Sequence, residues 1–134
     1  MLVEMWNVAQ IKPCPYNPRR NDHAVAAVAA AIREFGFRQP LVLDEDGVIV
    51  VGSTRYKAAL QLGLEEVPVH VATGLSPEQI RAYRIADNKL GELAKWDDTL
   101  LVQELMALQK MDFDLDVVGF SADHERPARS QRDR

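Results

Sequence analysis

The chain has 134 residues, enough for one domain with a hydrophobic core and little room for a second one. Its hydrophobic fraction of 47% and charged fraction of 27% are typical of a globular protein, so they suggest neither a largely disordered chain nor a membrane-embedded one. The net charge of −4 argues against DNA binding through overall charge, although a local basic patch can still form. The sequence shows no secretory leader and no membrane-length apolar run, and Cys14 is its one cysteine, so the cytoplasm is the default location.

The N-terminal part of the chain predicts a strand, a proline-rich loop and a helix. Alternating large apolar side chains predict the strand at 3–7, and the prolines within 11–20 favour an extended loop. Apolar side chains at spacings of three and four predict a helix over about 24–35, capped by Asp22. Three polar side chains of the loop are, taken alone, typical of a solvated loop: Asn17, Arg19 and Arg20.

Two apolar runs joined by an acidic turn predict a β-hairpin. The runs are 41–44 and 48–51, and the Asp-Gly pair of the turn at 44–47 is a strong hairpin signal. The three consecutive acids of this turn are open to two interpretations, a solvated turn or metal ligands. The solvated turn is favoured because consecutive side chains on a turn point in different directions.

The stretch VIVVGSTRYKAA predicts a strand, a tight turn at Gly52 and a helix that ends at Gly63. Ser53 or Thr54 is expected to cap this helix. The first turn of a helix has N–H groups without intrahelical partners and a positive dipole, so it favours a phosphate. Arg55 adds a planar guanidinium that can bind phosphate through two hydrogen bonds. A glycine before a capped helix is also a common structural turn, so both interpretations stay open.

The second half of the chain predicts one more strand and two helices. The strand at 67–71 contains Pro68, which suggests an edge strand or a strand that begins there. The capping motif Ser-Pro-Glu-Gln predicts a helix over about 76–96. Asp87 and Asn88 fall within a stretch of this helix that is otherwise suited to burial, where a carboxylate needs a partner.

A last helix is expected over about 98–110, with Asp97 as its cap, followed by a short apolar segment at 113–120. Residues 121–134 lose all periodicity and are expected to form a disordered tail. The helix carries an apolar stripe that suits either a core or a partner surface: Leu101, Leu105 and Leu108.

Three motifs in a fixed order resemble those of one family: NPR from Asn17, GFxQPLVL from Gly36 and GxxRxxAxxxLGxxxVPV from Gly52. They are similar to the N-terminal domain of the ParB/sulfiredoxin superfamily, often called the ParB-like nuclease domain. The resemblance implies a small α/β (α+β) fold in which helices pack on a mixed sheet. The domain is then expected over 1–120, with its core at about 3–96 and a C-terminal helix at about 97–110.

The resemblance also implies a nucleotide site at the Gly52 turn, for a nucleoside triphosphate (CTP or ATP) with Mg²⁺. Asp87-Asn88 resembles the family's Glu-Asn pair, which implies that the two residues lie on the metal and triphosphate side of the pocket. A structural cap or an ion pair at a kink near Gly91 is the equal alternative. The implied phosphate-binding residues are Asn17, Arg19, Arg20, Gln39, Gly52, Ser53, Thr54 and Arg55.

The chain departs from the family pattern at several positions. Partition proteins have a glutamate and an arginine where Ser53 and Thr54 stand and an arginine at the position of Gly91, so nucleotide hydrolysis is not implied. Sulfiredoxins have their reactive cysteine at the position of Ser53, and a hydroxyl without a neighbouring base does not replace a thiolate. We therefore expect no sulfiredoxin activity. No recognition helix follows residue 120, so sequence-specific DNA binding is not expected.

The residues leave three functional hypotheses. The first is a nucleotide-binding domain with an accessory role in DNA metabolism, as in the phage, mobile-element and methylase-associated domains that 75–97 resembles. The second is a metal-dependent nuclease, a nucleotide-phosphate transferase or a weak nucleotidase, with Asp87 as metal ligand and Arg55 stabilising transferred charge. The third is a non-enzymatic adaptor associated with DNA, which uses 100–120 to form a homodimer or to dock a DNA methylase or phage protein.

Overall fold

The computed structural model describes residues 1–17 and 24–120. The predicted cap Asp22 and the loop residues Arg19 and Arg20 lie outside the described residues. The chain divides into two compact units, Met1–Leu93 and Ala94–Arg134. The single domain over 1–120 and the tail at 121–134 stay predictions, and the tail also lies outside the described residues.

Within the described residues, four strands of the first unit form one mixed sheet. They are β1 (Glu4–Asn7), β2 (Leu41–Leu43), β3 (Ile49–Val51) and β4 (Glu66–Val71), in the spatial order β1-β4-β2-β3. Strands β2 and β4 run parallel, whereas β1 and β4, and β2 and β3, are antiparallel. The hairpin of β2 and β3 was predicted, and the mixed sheet with its helices confirms the predicted small α/β fold.

The acidic turn between β2 and β3 is held by its own first carboxylate. Asp44 Oδ1 accepts hydrogen bonds from the backbone N–H groups of Asp46 and Val48, both at 2.9 Å. Glu45 accepts a hydrogen bond from the backbone N–H of Gly74 at 3.3 Å. Among the residues that the structure describes, no group of three or more His, Cys, Asp or Glu side chains is placed to hold a metal ion. Asp44 therefore stabilises the turn itself, and Glu45 connects the turn to the segment at Gly74.

Strand β4 lies inside the sheet, so the prediction that Pro68 marks an edge strand or a strand start is wrong. Pro68 is the third residue of β4 and pairs with Met5 of β1, whereas the pairing of β4 with β2 begins one residue later, at Val69. Proline is thus tolerated because it has a strand neighbour on one side only, where a missing N–H need not break a ladder.

In the described part of the first unit, three α-helices and a short 3₁₀ helix (Val8–Gln10) complete the fold: α1 (Val25–Phe35), α2 (Ser53–Leu62) and α3 (Pro77–Leu93). Helices α1 and α2 contact each other, and α3 contacts β3. The predicted capping box starts α3, since Ser76 Oγ accepts from the N–H of Gln79 at 3.1 Å and the Gln79 side chain accepts from the N–H of Ser76 at 2.8 Å. No helix in the described part of the chain has both the length and the apolar composition needed to cross a bilayer. Among the described residues, the largest fully buried side chains of the core are Leu41, Leu43, Ile49, Val67 and Val69.

The second unit contains α4 (Asp98–Lys110) and a short 3₁₀ helix (Leu115–Val118) that contacts it. As predicted, Asp97 caps α4, with its carboxylate accepting from the N–H of Leu100 at 3.1 Å. Leu105 and Leu115 are buried, whereas Leu101 and Leu108 are half-buried. The apolar stripe of α4 therefore contributes at least Leu105 to a core, and this residue is not available as a partner surface.

Candidate functional site

A cleft of about 250 Å³ lies where β3 ends and α2 begins. Its walls come from the loop before α1, from the turn between β3 and α2, and from α3. The polar and turn residues that line it are Asn17, Gly52, Ser53, Thr54, Arg55, Arg84, Asp87 and Asn88. The fold therefore brings together residues that lie up to 74 positions apart in the sequence, from Cys14 to Asn88.

The N-cap of α2 is Gly52 itself, so the prediction that Ser53 or Thr54 caps this helix is wrong. Gly52 has a left-handed backbone, with φ 105° and ψ 23°. Its carbonyl accepts the N–H of Tyr56 at 2.9 Å, so helical bonding begins immediately after the glycine. Because glycine has no side chain, the N-cap residue supplies no acceptor to the first N–H groups of α2. This arrangement suits an anion at the start of the helix.

A side chain at position 52 has no room. A Cβ there would lie 2.5 Å from Leu41 Cδ2 and 3.0 Å from Arg55 Nη2. Leu41 belongs to the core, and the Arg55 guanidinium lies alongside the turn. Glycine is therefore required at position 52 for two reasons. The backbone there is left-handed, and the core and Arg55 occupy the space that a side chain would need.

The guanidinium of Arg55 is anchored to the backbone before β2. Its Nε donates to the carbonyl of Gln39 and its Nη2 to the carbonyl of Pro40, both at 3.1 Å. Burial lowers the pKa of Arg55, and the negative charge of Asp87 partly offsets that effect. Arginine stays protonated in proteins, so the cleft contains a fixed positive charge. The two anchored nitrogen atoms leave the rest of the guanidinium for a ligand.

Helix α3 brings a carboxylate, Asp87, and an amide, Asn88, to the cleft. Asp87 is exposed, and no residue of α3 is buried, so the prediction that this pair lies in a buried stretch is wrong. An exposed carboxylate needs no protein partner, because water solvates it. The side-chain amide of Asn88 donates to the carbonyl of Arg84 at 3.0 Å, within the helix.

Arg84, a charged residue that lines the cleft, was not identified from the sequence. It lies three and four residues before Asp87 and Asn88, a spacing that puts all three on the same face of a helix. That spacing was the available signal. Its guanidinium donates to the carbonyl of Ile49 in β3, from Nη2 at 3.1 Å and from Nε at 3.3 Å.

The structure does not bring every predicted residue to the cleft. Gln39 is exposed and is not among the lining residues, and its contribution is the backbone carbonyl that accepts from Arg55. Arg19 and Arg20 lie outside the described residues. The remaining predicted phosphate residues line the cleft: Asn17, Gly52, Ser53, Thr54 and Arg55.

The donor set of the cleft fits Mg²⁺ when a polyphosphate supplies the other ligands. In the described part of the chain, Asp87 is the one carboxylate that lines the cleft, and Asn88 adds a side-chain amide. Mg²⁺ is commonly held by one or two carboxylates together with water and substrate phosphates. A cage made of protein ligands alone would need more acidic groups than these residues supply.

Comparison with known proteins identifies relatives of this chain. The ParB N-terminal domain family matches residues 2–89. The ParB-like nuclease domain-containing protein YnaK of Escherichia coli is 37% identical over 71 residues, which is 52% of this chain and 82% of YnaK. Stage 0 sporulation protein J of Bacillus subtilis is 33% identical over 91 residues, which is 64% of this chain and 32% of that protein. The chain thus spans most of YnaK but about a third of the sporulation protein.

Solved structures agree with the fold. A C-terminally truncated chromosome-partitioning protein ParB from Caulobacter crescentus, complexed with CTP-gamma-S, superposes with a TM-score of 0.76 at 22% identity, covering 93% of this chain and 75% of that one. Sulfiredoxin from Arabidopsis thaliana gives a TM-score of 0.51 at 25% identity, covering 62% of this chain and 97% of that one. The family match covers well over half of the chain and confirms the resemblance seen in the motifs, so the chain belongs to the ParB N-terminal domain family.

Proposed function

We propose that this domain binds a nucleoside triphosphate, CTP or ATP, together with Mg²⁺, in the cleft at Gly52. One observation carries the proposal: an uncapped helix start, an anchored arginine and a carboxylate converge on the same cleft. The helix start and the arginine suit the phosphates, and the carboxylate suits their metal ion. The ParB structure complexed with CTP-gamma-S has the same fold, which supports this choice of ligand class.

The phosphate chain would lie against the start of α2. The backbone N–H groups of Ser53 and Thr54 and the helix dipole favour negative charge there. Arg55 adds charge-assisted hydrogen bonds, and Asn17 approaches the cleft from the loop that also carries Arg19 and Arg20. Gln39 acts indirectly in this scheme, through the carbonyl that fixes Arg55.

The metal ion would be held by Asp87 and Asn88 together with the phosphates. When bound, Mg²⁺ neutralises part of the charge of the phosphate chain. Asp87 would otherwise repel the same phosphates. The proposal therefore predicts that binding of the nucleotide depends on the metal.

Isothermal titration calorimetry with CTP, ATP and GTP, each with and without Mg²⁺, tests the proposal. We expect at least one of these nucleotides to bind with a dissociation constant of about 1 mM or better in Mg²⁺. The corresponding nucleosides serve as controls, because they lack the phosphates that the helix start and Arg55 would bind. Failure of all three nucleotides to bind at millimolar concentrations would overturn the proposal.

Replacing Asp87 with asparagine distinguishes the contribution of the metal ion to nucleotide affinity from that of the phosphate contacts. We expect Asp87→Asn to weaken nucleotide binding about tenfold in Mg²⁺, a loss of about 1.4 kcal/mol. In EDTA the variant should bind as well as the wild type or better, because a charge that repels phosphate is gone. Calorimetry in both buffers measures the two effects.

Glu92→Gln is the matched control, because Glu92 lies on the same helix and pairs on the surface with Lys89 at 3.6 Å. This variant should bind like the wild type in both buffers. Equal affinity of wild type and Asp87→Asn in Mg²⁺ would remove Asp87 from the metal site.

The proposal includes an accessory role in DNA metabolism in the cytoplasm. Its support is the family, whose relatives include chromosome-partitioning proteins, among them a Caulobacter crescentus ParB complexed to the centromeric parS site. The same proposal includes DNA contacts that are not sequence-specific. It also includes a protein partner, which is a second copy of this chain, a DNA methylase or a phage protein. The nuclease and transferase hypothesis has less support, because the described residues bring one carboxylate to the cleft.

A further inference from the structure

Arg84 is fixed beside the cleft by the strand that leads into the Gly52 turn. Two of its nitrogen atoms, Nε and Nη2, donate to the same acceptor, the carbonyl of Ile49. The side chain is half-buried and lines the cleft together with Arg55 and Asp87. Because Ile49 lies in the buried core, its carbonyl gives the guanidinium a rigid support.

The hydrogen bonds to Ile49 use only part of the donor capacity of Arg84. A guanidinium has five N–H groups, of which the Ile49 carbonyl takes one from each of two nitrogen atoms. The Nη1 group and the second N–H of Nη2 form the opposite end of the planar fork. Arg55 is held in the same way, by Nε and Nη2, and keeps the same end. Arg55 and Arg84 can therefore each donate paired N–H groups to the same polyphosphate.

The charge of the cleft depends on Arg84. Among its described lining residues, the fully charged groups are Arg55, Arg84 and Asp87. Without Arg84, the charges of Arg55 and Asp87 would cancel. With it, the described wall of the cleft is net positive in a chain whose net charge is −4. A net positive cleft is what a polyphosphate requires when the rest of the surface repels it.

We propose that Arg84 is a phosphate-binding residue of this cleft, which contacts the polyphosphate from α3 while Arg55 contacts it from α2. The identification of the ligand as a nucleotide rests on the proposed function. The class of ligand, a polyphosphate anion, follows from the charges and donors of the cleft.

The test compares Arg84→Gln with Arg81→Gln. Arg81 lies on the same helix, is exposed and does not line the cleft, so its replacement removes the same charge from a nearby position. Calorimetry uses inorganic tripolyphosphate and, separately, CTP and ATP with Mg²⁺, at low and at high salt. We expect Arg84→Gln to weaken binding of both ligand types about tenfold or more at low salt and by less at high salt, because salt screens the lost charge. Arg81→Gln should stay within about twofold of the wild type.

A purely structural role of Arg84 predicts a different result. Thermal melting would then show a loss of stability, while the folded Arg84→Gln protein would bind both ligand types with wild-type affinity, and that outcome overturns the inference. If the wild type binds tripolyphosphate in an Arg84-dependent way but no nucleotide, the inference stands and the proposed function fails. If the wild type binds neither ligand type, both fail.

Labelling of wild-type arginines covers the case in which Arg84→Gln does not fold. Phenylglyoxal modification followed by mass spectrometry reports each arginine separately. We expect tripolyphosphate to protect Arg84 while Arg81 stays reactive. Equal labelling of Arg84 with and without the anion would overturn the inference.

Discussion

Replacing Gly52 with alanine is expected to destabilise the domain and to abolish nucleotide binding. The left-handed backbone of residue 52 costs an alanine about 1–2 kcal/mol. The added Cβ, 2.5 Å from Leu41 Cδ2, forces the core to shift, at a cost of about 1–3 kcal/mol. The same Cβ lies 3.0 Å from Arg55 Nη2, so it also displaces the guanidinium that the proposed function assigns to phosphate.

The chain contains a matched control for this substitution. Gly63 ends α2 with a φ of 74°, and a Cβ there would meet nothing within 4 Å. Gly63→Ala therefore has the backbone cost without the steric one. Urea denaturation should show a clearly larger loss of unfolding free energy for Gly52→Ala than for Gly63→Ala, and calorimetry should show lost binding for Gly52→Ala alone. Equal losses of stability in the two variants would contradict the steric argument.

Replacing Arg55 with alanine is expected to reduce both binding and stability. A charge-assisted hydrogen bond contributes about 1.5–3 kcal/mol, so nucleotide affinity should fall at least tenfold. The carbonyls of Gln39 and Pro40 also lose their donors. Since the bond to Pro40 is part-buried, we expect a loss of about 1–3 kcal/mol of unfolding free energy.

Arg38→Ala is the control for Arg55. Arg38 also donates from Nε to a backbone carbonyl, that of Phe35 at 2.6 Å, but it is on the surface and does not line the cleft. Urea denaturation and calorimetry of both variants separate the two roles. Arg55→Lys keeps the charge without the planar fork, so its affinity should lie between those of the wild type and Arg55→Ala. Wild-type affinity in Arg55→Ala would exclude Arg55 from phosphate binding.

The sequence predicted the parts of the fold that depend on neighbouring residues. The capping box of Ser76 and Gln79, the Asp97 cap of α4 and the turn at Asp44 all have hydrogen bonds that span two to four residues. The resemblance of the motifs to a known family predicted, in addition, a nucleotide site at the glycine turn and the helix that follows it. In these cases the partners lie within one turn of each other, so the chain contains the whole interaction locally.

Tertiary structure decided which residues meet. Pro68 lies in an inner strand because β1 and β2 pair with β4 over different residues, which no local pattern reveals. The N-cap is Gly52, not Ser53 or Thr54, and the core at Leu41 leaves no room for a side chain at this position. Arg55 is fixed by carbonyls 15 and 16 residues away, and Arg84 by one that is 35 residues away. The sequence by itself thus determined most of the secondary structure and the position of the Gly52 turn, whereas the orientation and charge of the cleft arise from contacts between distant segments, which form only when the sheet and helices pack.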